Sequence, residues 1–148
     1  MVYNSAEQRF NVLGAVQLAN AQFVTEGKFT SNVGITITSG NNVANTTVQK
    51  IMYDRQANSN FVRVHYNILV GTTAANAVTD VGISLPISSN VAAGPDVIGT
   101  FLATTSNAAT LVSGFAFADT GNKRANLRFT PGTSNTYTCA GSFIYEIL

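Results

Sequence analysis

Eight short runs of strand-forming residues, each closed by a cluster of turn formers, follow one another between residues 33 and 147. That rhythm constrains the chain more than any other feature. Short strands at even spacing can cover their apolar faces only by folding back on one another as a sandwich or barrel. The runs are Val33–Thr38, Thr47–Arg55, Phe61–Val70, Asp80–Pro86, Val97–Thr105, Leu111–Asp119, Arg124–Thr130 and Tyr137–Ile147. Between them stand Ser39-Gly40-Asn41-Asn42, Ser106-Asn107, Gly121-Asn122 and Pro131-Gly132, residues that tolerate or preset the dihedrals of tight turns. The expected fold is an all-β, antiparallel jelly-roll-type β-sandwich of about eight strands with a short N-terminal arm.

Individual runs carry further detail. Thr47–Arg55 and Phe61–Val70 flank the polar pentamer 56–60, a length suited to a hairpin loop. In the second arm Phe61, Val64, Tyr66, Ile68 and Val70 do not keep one phase of two, which predicts a bulge near Val62-Arg63. Val81, Ile83 and Leu85 share a face, and Pro86 ends that ladder by removing a donor. Residues 71–78 are small and polar and read as a loop. Residues 1 to about 24 differ from the rest, with Phe10, Leu13, Val16 and Leu18 at spacings that suit either a short helix or an irregular arm. We read 1–24 as an attachment arm and 25–148 as the β domain.

Composition agrees with strands and turns. Thr, Ser and Asn make up 45 of the 148 residues, only 10% are charged, and 45% are hydrophobic. Uncharged polar groups must therefore carry the solvation, and this mix disfavours helices. A formal net charge of +1 supplies no field to gather nucleic acid or an anionic membrane surface, so neither is an expected partner. The first ten residues lack the basic start and apolar run of a signal peptide, and no stretch is long and apolar enough for a helical membrane span, so the mature chain is expected to begin at Met1. A surplus of apolar residues over charges predicts self-association.

Chemistry-bearing residues are sparse. Cys139 is the single cysteine and His65 the single histidine, too few for a zinc site or an internal disulfide. Glu7, Glu26, Asp54, Asp80, Asp96, Asp119 and Glu146 are scattered singly, as turn caps and surface charges would be. Any Ser-His-Asp scheme would have to run through His65, inside a strand pattern, where a histidine facing solvent or a symmetry axis is the commoner case. No phosphate-cradling glycine motif occurs. The expectation is no catalytic residue, no cofactor and no metal: a protein that is not an enzyme.

From about Lys50 onward the order of features is familiar: Tyr53-Asp-Arg, a polar turn, Phe61-Val-Arg-Val, then Gly82-Ile-Ser-Leu-Pro-Ile87, Asn122-Lys-Arg-Ala-Asn-Leu-Arg-Phe129, and a closing Gly141-Ser-Phe-Ile-Tyr-Glu-Ile147. This order resembles the β-sandwich domains at the carboxyl ends of tail-fibre, head-fibre and related virion proteins of tailed phages and large marine viruses. The chain departs at the first hairpin, with Arg55-Gln-Ala-Asn-Ser-Asn60 where the family has Arg-x-Gly-Asn. The resemblance implies a virion structural protein made in the host cytoplasm and displayed on the particle surface, as a minor capsid, decoration or fibre-spike component. It further implies a homotrimer, other virion proteins bound through the N-terminal arm, and a host-surface glycan as a receptor. The loops expected to make that contact are Ser39–Thr46, Gly71–Val78, Ser88–Asp96 and Gly121–Arg124. A free-standing carbohydrate-binding, lectin-like jelly roll is the alternative, and a purely cementing role on a capsid is a further one.

Overall fold

A computed structural model describes residues 29–30, 35–55, 59–106 and 109–148 of the chain. Nine strands account for most of them: β1 (Phe29–Thr30), β2 (Ile37–Ser39), β3 (Val43–Arg55), β4 (Phe61–Thr72), β5 (Thr79–Ser84), β6 (Val97–Thr105), β7 (Leu111–Asp119), β8 (Arg124–Phe129) and β9 (Thr136–Glu146). All pair antiparallel in one sheet of order β1-β3-β4-β9-β6-β7-β8-β5-β2. Helix among the described residues is a single 3-10 turn, Gly94–Asp96. The sheet curls until β2, at one margin, lies beside β3 near the other, because only residues 40–42 separate the two strands. The all-β antiparallel fold expected from the eight runs is the one observed, with the two-residue β1 added at an edge.

Period-two alternation becomes a dry inside and a wet outside. On β4, Val62, Val64, Tyr66, Ile68 and Val70 all point inward and are buried. Here one expectation fails. Pairing with β3 continues without interruption through Val62 and Arg63, and the irregularities sit on β3, between Val43 and Asn45 and between Val48 and Lys50. The apparent break of phase came from counting Phe61 as core, whereas it opens the strand on the outer face, 52% exposed. The first run is also displaced. Its strand begins at Ile37, while Thr36 is held alongside Ser84, donating its N–H to Ser84 Oγ at 2.7 Å and accepting from Ser84 N–H at 3.0 Å. The arm assigned to residues 1–24 lies outside the described residues.

Six aromatic rings form an unbroken chain through the interior: Tyr145, Phe143, Tyr66, Phe101, Phe129 and Tyr137, with successive centroids 5.6–6.3 Å apart. Mostly tilted or edge-on, these contacts suit the ring quadrupole. Phe101 sits at the middle because its neighbours in register, Gly141 on β9 and Gly114 on β7, have no side chain. A Cβ on Gly141 would lie 2.4 Å from Phe101 Cβ and 2.5 Å from the Thr100 carbonyl oxygen; one on Gly114 would lie 2.2 Å from the Phe101 ring. At the end of the chain of rings, the Tyr145 hydroxyl donates to the Ile87 carbonyl at 2.8 Å and accepts from the Ile87 N–H at 3.0 Å, tying down the segment between β5 and β6. The Tyr66 hydroxyl is buried without a hydrogen-bond partner among the described residues.

Two substitutions test this interior. Gly141→Ala forces a methyl group against backbone and Cβ atoms that cannot swing away, and is expected to cost about 1–3 kcal/mol in chemical denaturation. Tyr66→Phe removes a hydroxyl that gains nothing from burial, and is expected to leave stability unchanged or raise it by about 1 kcal/mol. A loss of similar size for Tyr66→Phe would show that the hydroxyl is held by a partner.

Candidate functional site

Strand direction divides the molecule into two unlike ends. At one end lie the turn at residues 40–42, the β4–β5 loop (73–78), Ser106, Ala109 and Thr110 between β6 and β7, and the β8–β9 loop (130–135). At the other lie Ser59 and Asn60 before β4, the β5–β6 segment (85–96), the β7–β8 turn (120–123) and the residues after β9. β1 pairs Phe29 with Tyr53 and Thr30 with Met52, so it too begins at this second end. Asp96, Asp119, Lys123, Arg124, Glu146, Asp54 and Arg55 cluster there. Among the described residues the first end carries one ion pair, Asp80 with Arg128; its loops are built of Asn, Thr, Ser, Gly, Ala, Val and Pro, and Leu111 is exposed at the start of β7.

The four loops expected to act together are therefore separated. Ser39–Thr46 and Gly71–Val78 meet at the neutral end, whereas Ser88–Asp96 and Gly121–Arg124 meet at the charged end, where Lys123 Nζ donates to the Val91 carbonyl at 2.9 Å. The β8–β9 loop, which sequence reasoning took only as a separator, joins the first pair. Its Asn135 N–H donates to Thr72 Oγ1 at 3.1 Å, and Thr72 Oγ1 donates back to the Asn135 carbonyl at 3.0 Å. Pairing order, which no local pattern reveals, decides this grouping.

Asn42 holds the neutral end together. It sits at φ 59°, a left-handed conformation that asparagine tolerates better than most residues. From there its amide donates to the Thr79 hydroxyl at 2.8 Å and to the carbonyls of Ala74 and Ala77 at 3.0 and 3.2 Å. Its carbonyl oxygen accepts from Thr73 Oγ1 at 2.6 Å and from Ala74 N–H at 2.8 Å. Below it, the buried Asp80 accepts two bonds from Arg128, at 2.6 and 3.0 Å, and one from Asn41 at 3.2 Å. Arg128 in turn lies over the Phe117 ring, 4.9 Å from its centroid. Exposed above this frame are Thr73, Ala74, Asn76 and residues 132–136, a shelf rich in hydroxyl and amide groups.

Elsewhere two of the singled-out carboxylates, Asp96 and Asp119, cap turns, while Glu7 and Glu26 lie outside the described residues. Asp96 accepts from the N–H groups of Ala92 and Ala93 at 2.6 and 2.9 Å, which holds its carboxyl below the usual range. Asp119 accepts from the Asn122 side chain at 2.8 Å, from the Asn122 N–H at 3.2 Å and from Arg124 Nε at 2.8 Å, with the same effect. His65 lies on the outer face of β4, 3.6 Å from Asp54 and in register with Ser142. The three residue types of a triad thus share a face of open sheet. No group of three or more His, Cys, Asp or Glu among the described residues is placed to hold a metal ion. Cys139 is buried, and burial pushes its thiol up to about 12.

Replacing Asn42 with Ala removes five hydrogen bonds and imposes a left-handed backbone on a residue that resists it. We expect a loss of about 2–4 kcal/mol and faster amide exchange over residues 73–79, with protection of β4 and β9 retained. Unchanged exchange in that loop would show that Asn42 is not its anchor.

No family model matches the chain, and no curated protein matches it. Among solved structures, the chain is similar to the carboxy-terminal domain of the turkey type 3 siadenovirus fibre, avirulent form, which was solved in complex with 3-sialyllactose. That likeness covers 77% of this chain and 99% of the fibre domain, at 10% identity and a TM-score of 0.41.

Proposed function

We propose that the chain is a structural component of a virus-particle surface, a minor capsid, decoration or fibre-spike protein, and that its neutral end contacts a host-surface glycan. The observation that carries this reading is the polarity of the barrel. β1 and the last strand both have their outer ends at the charged end, so a particle attached through the amino-terminal segment leaves the loops at residues 73–78 and 130–136 pointing away. Neutral hydroxyl and amide groups held by Asn42 and Thr72 suit sugar hydroxyls, which can be bound without net charge. The order of motifs from Tyr53 to Ile147 supports placement in a virion. Display as a homotrimer, in many copies per particle, turns weak single-site binding into firm attachment. In this reading the protein does no chemistry.

Glycan arrays and cell binding with the full chain test it. Asn76→Gly preserves the left-handed backbone at φ 55° while removing the amide, and Thr136→Ala removes an exposed hydroxyl. Saturable binding that falls at least about tenfold in the double variant, a loss of roughly 1.4 kcal/mol, is the expected result. Silence on both assays, with particles made fragile by loss of the gene, would overturn attachment in favour of cementing. Turnover of a polysaccharide, abolished by His65→Ala, would overturn the non-enzymatic reading.

A further inference from the structure

We infer that the outer face of β9, β6 and β7 is the seam through which copies of this chain associate. The inference rests on the multi-copy reading above and adds where the copies meet. In the middle of these strands twelve residues point outward, at alternate positions from 98 to 104, 111 to 117 and 138 to 144, and none of the twelve is charged. Five of them, Ile98, Leu102, Leu111, Phe115 and Ile144, are 38–63% exposed.

Register makes these side chains one patch. Ile98 pairs with Ile144, Leu102 with Ala140 and Ser113, and Thr100 with Phe115. Together the five apolar side chains expose on the order of 500 Å², a patch of the size that marks an interaction site, and more than half of the about 800 Å² each partner gives to a stable interface. Charged residues lie at its margins: Asp119 and Glu146 close it at the charged-end tips of β7 and β9. Arg63 and His65 flank the patch on β4, and Arg128 flanks it on β8. This is an apolar centre with a polar rim.

The occupant the surface fits is a second copy. The face carries both halves of a knob-and-hole fit: a shallow groove floored by Thr100, Ser113, Gly114 and Ala140 runs between Leu102 and Phe115, and Ile98 and Ile144 stand beside it as projecting pairs. A foreign partner is ordinarily selected by complementary charge, and the centre of this face has none to offer. Obligate contacts between like chains are the apolar ones.

The test is the solution mass of the full chain by sedimentation equilibrium, with circular dichroism to establish folding. Wild type is expected at a small multiple of 15.6 kDa. Leu102→Glu and Phe115→Glu are each expected to fall to the single-chain mass while keeping the wild-type β spectrum, and the milder Leu102→Ser to weaken association at least tenfold. Ser88→Glu, at the charged end, serves as the control and is expected to keep the wild-type mass. If wild type is a multimer and both Glu variants remain so, this face is not the seam although the multi-copy reading survives. A wild-type monomer at high micromolar concentration overturns both, and leaves the face to the amino-terminal segment or to a different protein.

Discussion

Close approach of backbone to the Phe101 ring governs the interior. In an antiparallel sheet two opposed side chains normally keep their strands' Cβ atoms about 4.5–5.5 Å apart. At Phe101 both opposed residues are glycine, and the strands come nearer than any side chain would permit. The ring spreads over Gly114 toward Phe129 on one side and meets Tyr66 on the other. Rings from β4, β6, β8 and β9 are thereby brought into one chain, so strands distant in sequence share a single core. Gly99 repeats the device one step along β6, where a Cβ would strike Phe143 and the Ser142 carbonyl. Tight local curvature from glycine, filled by aromatic rings, lets one sheet wrap nearly shut around the core.

A curled sheet must also organise its margins and its ends. The margin is managed by Asn42 and Asp80, whose hydrogen bonds link the start of β3 to the approach to β5. These are short polar contacts, several of them partly buried, and satisfied polar networks of this kind specify one arrangement among several of similar hydrophobic merit. The ends divide the labour. Charges gather where the termini of the strand system lie, and neutral hydroxyls gather at the other end. The outer surface divides as well, between a face on β9, β6 and β7 whose centre is uncharged and margins that carry Arg63, His65, Arg128, Asp119 and Glu146.

Much of this was legible in the residues. Turn formers at Ser39–Asn42, Gly121-Asn122 and Pro131-Gly132 marked the strand ends because their preferences are local and survive in any fold. The isolated carboxylates at Asp96 and Asp119 proved to be turn caps for the same reason. The arm assigned to residues 1–24 had no such local signature to test. Phe61 misled because hydrophobicity predicts burial only on average, and the first residue of a strand can face outward at little cost.

Local residue chemistry was enough to show that the chain is all-β and antiparallel, where its turns fall, and that Val81, Ile83 and Leu85 share a buried face. Each of these rests on contacts within a few residues. Tertiary structure alone decided the rest: that β9 returns between β4 and β6, that Gly114 and Gly141 flank Phe101, that the expected loops separate to opposite ends, and that Ile98, Leu102, Phe115 and Ile144 share one exposed face. Those outcomes depend on which strand pairs with which. Pairing is a choice among long-range alternatives, settled by how well rings and backbone fill a common interior, and no window of neighbouring residues contains it.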